Sequence, residues 1–180
     1  MATTIANINI TSPAVTNWGE WGIFERCPEG RYAQGFQLRT QQSQFKGDDS
    51  SLTTIKLFCG DPSQSDTSAI TSTEGQFGDW GKIFSCFPGY LNGFQLRSEK
   101  NRGTGDDTAA NNIRFYCTSL PDRKAFIEGD GLFWGEWTQP QHCEKNQAIC
   151  AIQSQVDSYK VDGGDNTALN NVRMECCGYD

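Results

Sequence analysis

Apolar and polar residues alternate over short stretches of this chain and do not recur at helical spacing. Phe36 and Leu38 alternate with Gln37 and Arg39. Ile55, Leu57 and Cys59 fall on one side of an extended run, with Lys56 and Phe58 on the other; Ile113, Phe115 and Cys117 repeat that pattern. A period of two is what a β-strand with one face in a core requires. Glycines and Asp/Asn/Ser clusters break these runs about every ten residues. Only Thr108–Asn112 suggests a helical turn, and a short one.

The pattern comes three times. Gly19-Glu20-Trp21, Gly78-Asp79-Trp80 and Gly135-Glu136-Trp137 correspond, and the tryptophans step by 59 and then 57 residues. Gly35-Phe36-Gln37-Leu38-Arg39 matches Gly93-Phe94-Gln95-Leu96-Arg97, with Ala151-Ile152-Gln153-Ser154-Gln155 as a degenerate third copy. Gly47-Asp48-Asp49-Ser50, Gly105-Asp106-Asp107-Thr108 and Gly164-Asp165-Asn166-Thr167 form another set, each followed by a strand-like run ending in Cys59, Cys117 or Cys176. The repeats cover about 5–60, 67–117 and 124–177. Each holds three or four short strands, too few to bury their own apolar face. Three such sheets around a pseudo-threefold axis can bury those faces against each other, which predicts one all-β domain shaped as a three-sided prism with Phe, Leu and Ile along its axis.

The eight cysteines fit the same scheme. Equivalent positions predict Cys27–Cys59, Cys86–Cys117 and Cys143–Cys176, leaving Cys150 for Cys177; adjacent strand residues face opposite ways, so Cys176 and Cys177 can each reach a separate partner. No zinc spacing occurs, and His142 is the single histidine. Four disulfides point to an oxidising, extracellular compartment. Met1-Ala2-Thr3-Thr4 carries no leader, so the reading is secretion with the leader already removed. Asn9-Ile10-Thr11 is a glycosylation sequon, which makes Asn9 a candidate attachment site.

Composition narrows the function. Hydrophobic residues make up 36% of 180, and the 19 glycines bring the apolar share to that of an ordinary globular domain. With 15 basic against 22 acidic residues, net −7, no basic stripe is left for nucleic acid or an anionic membrane. The longest apolar run, Ala148 to Ile152, is far short of a membrane span. No phosphate loop, dinucleotide fingerprint, serine elbow or zinc-protease motif occurs, so no cofactor or metal is expected.

The Trp18-Gly19-Glu20-Trp21-Gly22 stretch, the blocks 105–112 and 164–171, and the closing Cys176-Cys177 pair resemble the vitelline membrane outer layer protein I family, over roughly Ile8 to Cys177. That resemblance implies a β-prism I fold of three four-stranded Greek-key sheets with pseudo-threefold symmetry. It also implies secretion into extracellular coats or mucosal fluids, carbohydrate binding, and a weak glycosyl-transfer activity on N-acetylglucosamine oligomers.

Candidate binding residues follow. Asp48, Asp49, Asp106, Asp107 and Asp165 sit on loops where carboxylates could accept hydrogen bonds from paired sugar hydroxyls; the same residues also cap turns through backbone amides. Calcium would need a spaced ligand series that these loops lack. Trp21, Trp80 and Trp137 could stack on sugar rings, although one tryptophan per repeat also suits packing. Glu20, Asp79 and Glu136 read as surface charge more than as a catalytic pair. Lys56, Arg114 and Arg173 recur at one strand position and read as partners of the loop acids. The expected partners are extracellular glycans, N-acetylglucosamine type among them, and other coat proteins. A lectin-like role competes with a slow enzyme on N-acetylglucosamine oligomers and with a purely structural layer protein; enzyme activity is the lesser expectation.

Overall fold

A computed structural model describes residues 5–42, 52–100, 109–157 and 169–179. Among them are fourteen strands and no helix. β1 (Ile8–Thr11), β2 (Glu20–Trp21) and β3 (Glu25–Arg26) lead. β4 (Gly35–Thr40), β5 (Leu52–Cys59), β6 (Ser68–Ile70) and β7 (Asp79–Ser85) follow. Then come β8 (Leu91–Ser98), β9 (Ala110–Cys117), β10 (Phe126–Glu128), β11 (Glu136–Trp137) and β12 (Gln141–His142). β13 (Gln147–Val156) and β14 (Leu169–Gly178) close the chain.

Three antiparallel sheets result. The first has the order β6-β5-β4-β7, and the second β10-β9-β8-β11 with β12 also on β8. Three hairpin-linked strands with the fourth beside the first make a Greek key. The third sheet repeats this across the termini: β1-β14-β13-β2, with β3 also on β13. Each sheet therefore takes its outer tryptophan strand from the next sequence repeat, and the N-terminal strands close the ring on the C-terminal hairpin. In two sheets that outer strand is broken in two. Pro140, between β11 and β12, has no N–H to give the ladder. The expected helical turn is instead strand: Ala110, Asn111 and Asn112 open β9, because Asn112 pairs with Arg97.

The inward positions of the central hairpins bury completely. Phe36, Leu38, Ile55, Leu57, Phe94, Leu96, Ile113, Phe115, Ile149 and Ile152 are all 0% exposed. Phe36 of the first sheet meets Phe115 of the second with ring centroids 4.6 Å apart, and Phe94 lies 6.4 Å from Phe115. The predicted bridges form: Cys27–Cys59, Cys86–Cys117, Cys143–Cys176 and Cys150–Cys177. The first three each join one sheet to its neighbour, third to first, first to second and second to third. They gather at one end of the prism, and the C-terminal ends of β4, β8 and β13, at Thr40, Ser98 and Val156, lie at the other.

Candidate carbohydrate platform

On the outer face of each sheet, a short network recurs three times. Gln37 pairs across the hairpin with Lys56, Gln95 with Arg114, and Gln153 with Arg173. The glutamine amide donates to the backbone carbonyl just after the tryptophan: Gln37 Nε2 to Gly81 O, Gln95 Nε2 to Thr138 O and Gln153 Nε2 to Gly22 O, each 2.8 Å. Two residues on, Arg39 Nε donates to Gly78 O at 3.0 Å, Arg97 Nε to Gly135 O at 3.1 Å, and Gln155 Nε2 to Gly19 O at 3.1 Å. These two bonds clamp the Gly-acid-Trp segment onto its sheet. The repeated Gln-x-Arg is thus a clamp, and Gln155 performs the arginine's task in the copy that looks degenerate. A register shift follows Arg39, Arg97 and Gln155 in each hairpin, where an irregular ladder re-aims the neighbouring side chains.

The recurring cation meets the tryptophan ring. Lys56 Nζ stands 3.8 Å from the Trp80 ring centroid, the Arg114 guanidinium 4.3 Å from Trp137 and that of Arg173 4.4 Å from Trp21. Arg114 also lies 4.0 Å from the Phe126 ring and 3.9 Å from a Glu128 oxygen. Cation–ring contacts of this kind contribute about 0.5–2 kcal/mol. The loop acids expected as partners of these cations, Asp48, Asp49, Asp106, Asp107 and Asp165, lie outside the described residues. Trp21 and Trp137 are half-buried, and Trp80 is more exposed.

The ring before the glycine is open in all three copies. Trp18, Phe77 and Trp134 are 37%, 43% and 46% exposed. Each precedes a left-handed glycine: Gly19 at φ +85°, Gly78 at φ +102° and Gly135 at φ +79°. A Cβ on Gly135 would stand 2.2 Å from Ser98 O, and one on Gly78 2.4 Å from Thr40 O. Only glycine combines that close approach with positive φ. Phe133 packs beside Trp134, its ring tilted by 32° with centroids 4.9 Å apart. Matching tryptophans between the repeats brings Trp18 and Trp134 beside the Gly-acid-Trp motif but passes over Phe77. The available signal was an aromatic, of either kind, before each glycine. Glu20, Asp79 and Glu136 are exposed beside these rings.

Asparagines hold the preceding loops. Asn112 donates to Gly129 O at 2.8 Å and accepts from Gly131 N at 3.2 Å. Asn171 donates to Thr16 O at 2.7 Å, and Thr54 accepts from Gly75 N at 3.2 Å. Asn9 is exposed on the edge strand β1.

Arg97→Ala removes a clamp bond and a contact over the Trp137 ring. It is expected to cost about 1–2 kcal/mol, seen as a melting point lower by roughly 2–8 °C and a red-shifted indole emission. An unchanged melting point would mean that the clamp does not hold this segment.

The fold matches known lectins at low sequence identity. An agglutinin from Calystegia sepium superposes with a TM-score of 0.60 at 10% identity, covering 99% of this chain and 100% of that one. A mannose binding jacalin related lectin from Ananas comosus gives 0.53 at 11%, covering 97% and 98%. The architecture is the expected β-prism. By sequence, a Homo sapiens vitelline membrane outer layer protein 1 homolog is 37% identical over 164 residues, 89% of this chain and 78% of that one. The family model for vitelline membrane outer layer protein I matches residues 8–179, and the chain belongs to that family.

Proposed function

We propose that this protein is a secreted, disulfide-stapled carbohydrate-binding module of an extracellular coat or mucosal fluid, working through the three clamped aromatic turns at one end of its prism. The observation that carries this is the threefold recurrence of an exposed ring, Trp18, Phe77 or Trp134, on a turn fixed by a glycine and by side-chain bonds to the sheet. Sugar C–H faces stack on exposed aromatic faces, and a turn already held in place loses little freedom on binding. Glu20, Asp79 and Glu136 stand beside the rings as acceptors for sugar hydroxyls. The loop acids Asp48, Asp49, Asp106, Asp107 and Asp165 border these strands in sequence and extend the acceptor set. Family membership supports an extracellular setting. The Ananas comosus neighbour is named as mannose binding, which supports the use of this fold for glycans. N-acetylglucosamine oligomers are the first ligands to try, and other coat proteins are the expected neighbours. With three platforms, weak single sites gain through avidity on a repeating glycan.

The test is a glycan array on oxidised protein, comparing wild type with the triple variant Trp18→Ala/Phe77→Ala/Trp134→Ala. Each ring is expected to contribute about 1–2 kcal/mol, so the triple variant should fall to background. Undiminished binding by a folded triple variant would place recognition elsewhere.

A further inference from the structure

The opposite, disulfide-bearing end holds a cavity of about 320 Å³, a size within the range of small-ligand pockets. It lies between the second and third sheets, beside the Cys86–Cys117 and Cys143–Cys176 bridges, which hold its walls. Arg123 and Lys145 line it, in a chain of net charge −7; one acid, Glu144, stands with them. Its aromatic wall is Tyr116, His142 and Tyr179. Tyr116 and His142 lie 4.5 Å apart by ring centroids. Tyr179 also belongs to a trio with Tyr32 and Tyr90 that packs across the prism end, at 5.1 to 6.0 Å. Asn92 lines the cavity with its Oδ1 buried and unbonded.

We infer that this cavity is a second saccharide site, separate from the aromatic platform, and that it takes a sugar carrying a carboxylate, such as a uronic or sialic acid. The Arg123 guanidinium offers a donor fork that matches a carboxylate in two parallel bonds, and Lys145 adds a point charge. The aromatic wall suits the apolar face of a pyranose ring. Asn92, turning about its terminal torsion, gains a bond from a ligand hydroxyl, which a simple inorganic anion lacks. Solvent loss on packing, and then the Arg123 charge, hold the His142 imidazole below its ordinary pKa. It is therefore neutral at pH 7, able both to donate to and accept from sugar hydroxyls. A prism with a neutral-glycan end and an acidic-sugar end joins two chains of a coat.

The test is an NMR titration of the oxidised protein with glucuronate, N-acetylneuraminate, glucose and acetate, following His142 and Tyr179. At least one acid sugar should move these signals and bind about tenfold or more tightly than glucose and than acetate. Arg123→Gln, a surface change that leaves the core intact, should weaken that binding about tenfold. The Trp18→Ala/Phe77→Ala/Trp134→Ala variant should leave it unaltered, so loss of the platform and loss of this cavity are told apart. Equal binding of glucose, equal binding of acetate, an indifferent Arg123→Gln, or no shift at His142 and Tyr179 would each overturn the inference.

Discussion

Phe115→Ala is expected to lower the unfolding free energy by about 3–5 kcal/mol, a large share of the roughly 5–15 kcal/mol that holds a domain together. Phe115 is fully buried and touches Phe36 from the first sheet and Phe94 from its own. No single sheet here can bury its apolar face alone, so a void at the shared axis weakens all three together. Urea unfolding followed by tryptophan fluorescence should show one cooperative transition moved to lower denaturant with an unchanged slope. A loss under about 1 kcal/mol, or a transition split in two, would mean that the sheets are not interdependent.

The second large effect belongs to the bridges between sheets. Cys143→Ala/Cys176→Ala opens a closure with a sequence separation of 33 residues, for which chain entropy gives about 4 kcal/mol. The counterparts Cys27–Cys59 and Cys86–Cys117 span 32 and 31 residues, so their double alanine variants should cost the same within about 1 kcal/mol. Thermal melts of the three variants measure this. A bridge whose loss barely shifts the melt would not be a staple between sheets, whatever its position in the repeat.

The threefold pattern was legible because identical jobs recur at identical spacing. Alternation at Phe36–Arg39 and Ile55–Cys59 announced strands, and equivalent cysteines announced equivalent bonds. Two kinds of fact were not legible. Lys56 on Trp80 joins β5 to β7 across β4, and such contacts depend on which strands become neighbours. The sequence reads these cations as partners for loop acids, which lie outside the described residues; among the described residues they cover tryptophan rings. Phe77 was hidden for a different reason: its place requires an aromatic face, not one residue type, so it matches Trp18 and Trp134 in role but not in letter. The cavity at the other end does not recur by residue type: Lys145 comes two residues after Cys143, where Glu29 follows Cys27 and Pro88 follows Cys86 at the same spacing, and His142, unmatched in the other copies, gains meaning only from Tyr116 packed against it.

The most direct measurement of recognition at the clamped turns is a titration of the five indole N–H signals with N-acetylglucosamine oligomers and mannose-type glycans. The indoles of Trp18 and Trp134 should shift first and furthest, with smaller changes at Trp21, Trp80 and Trp137 beneath their cations, and a Phe77→Trp variant should add a third early signal. Glycan binding in which the Trp18 and Trp134 indoles stay still, or no shift with any glycan up to millimolar concentration, would contradict a carbohydrate platform at this end of the prism.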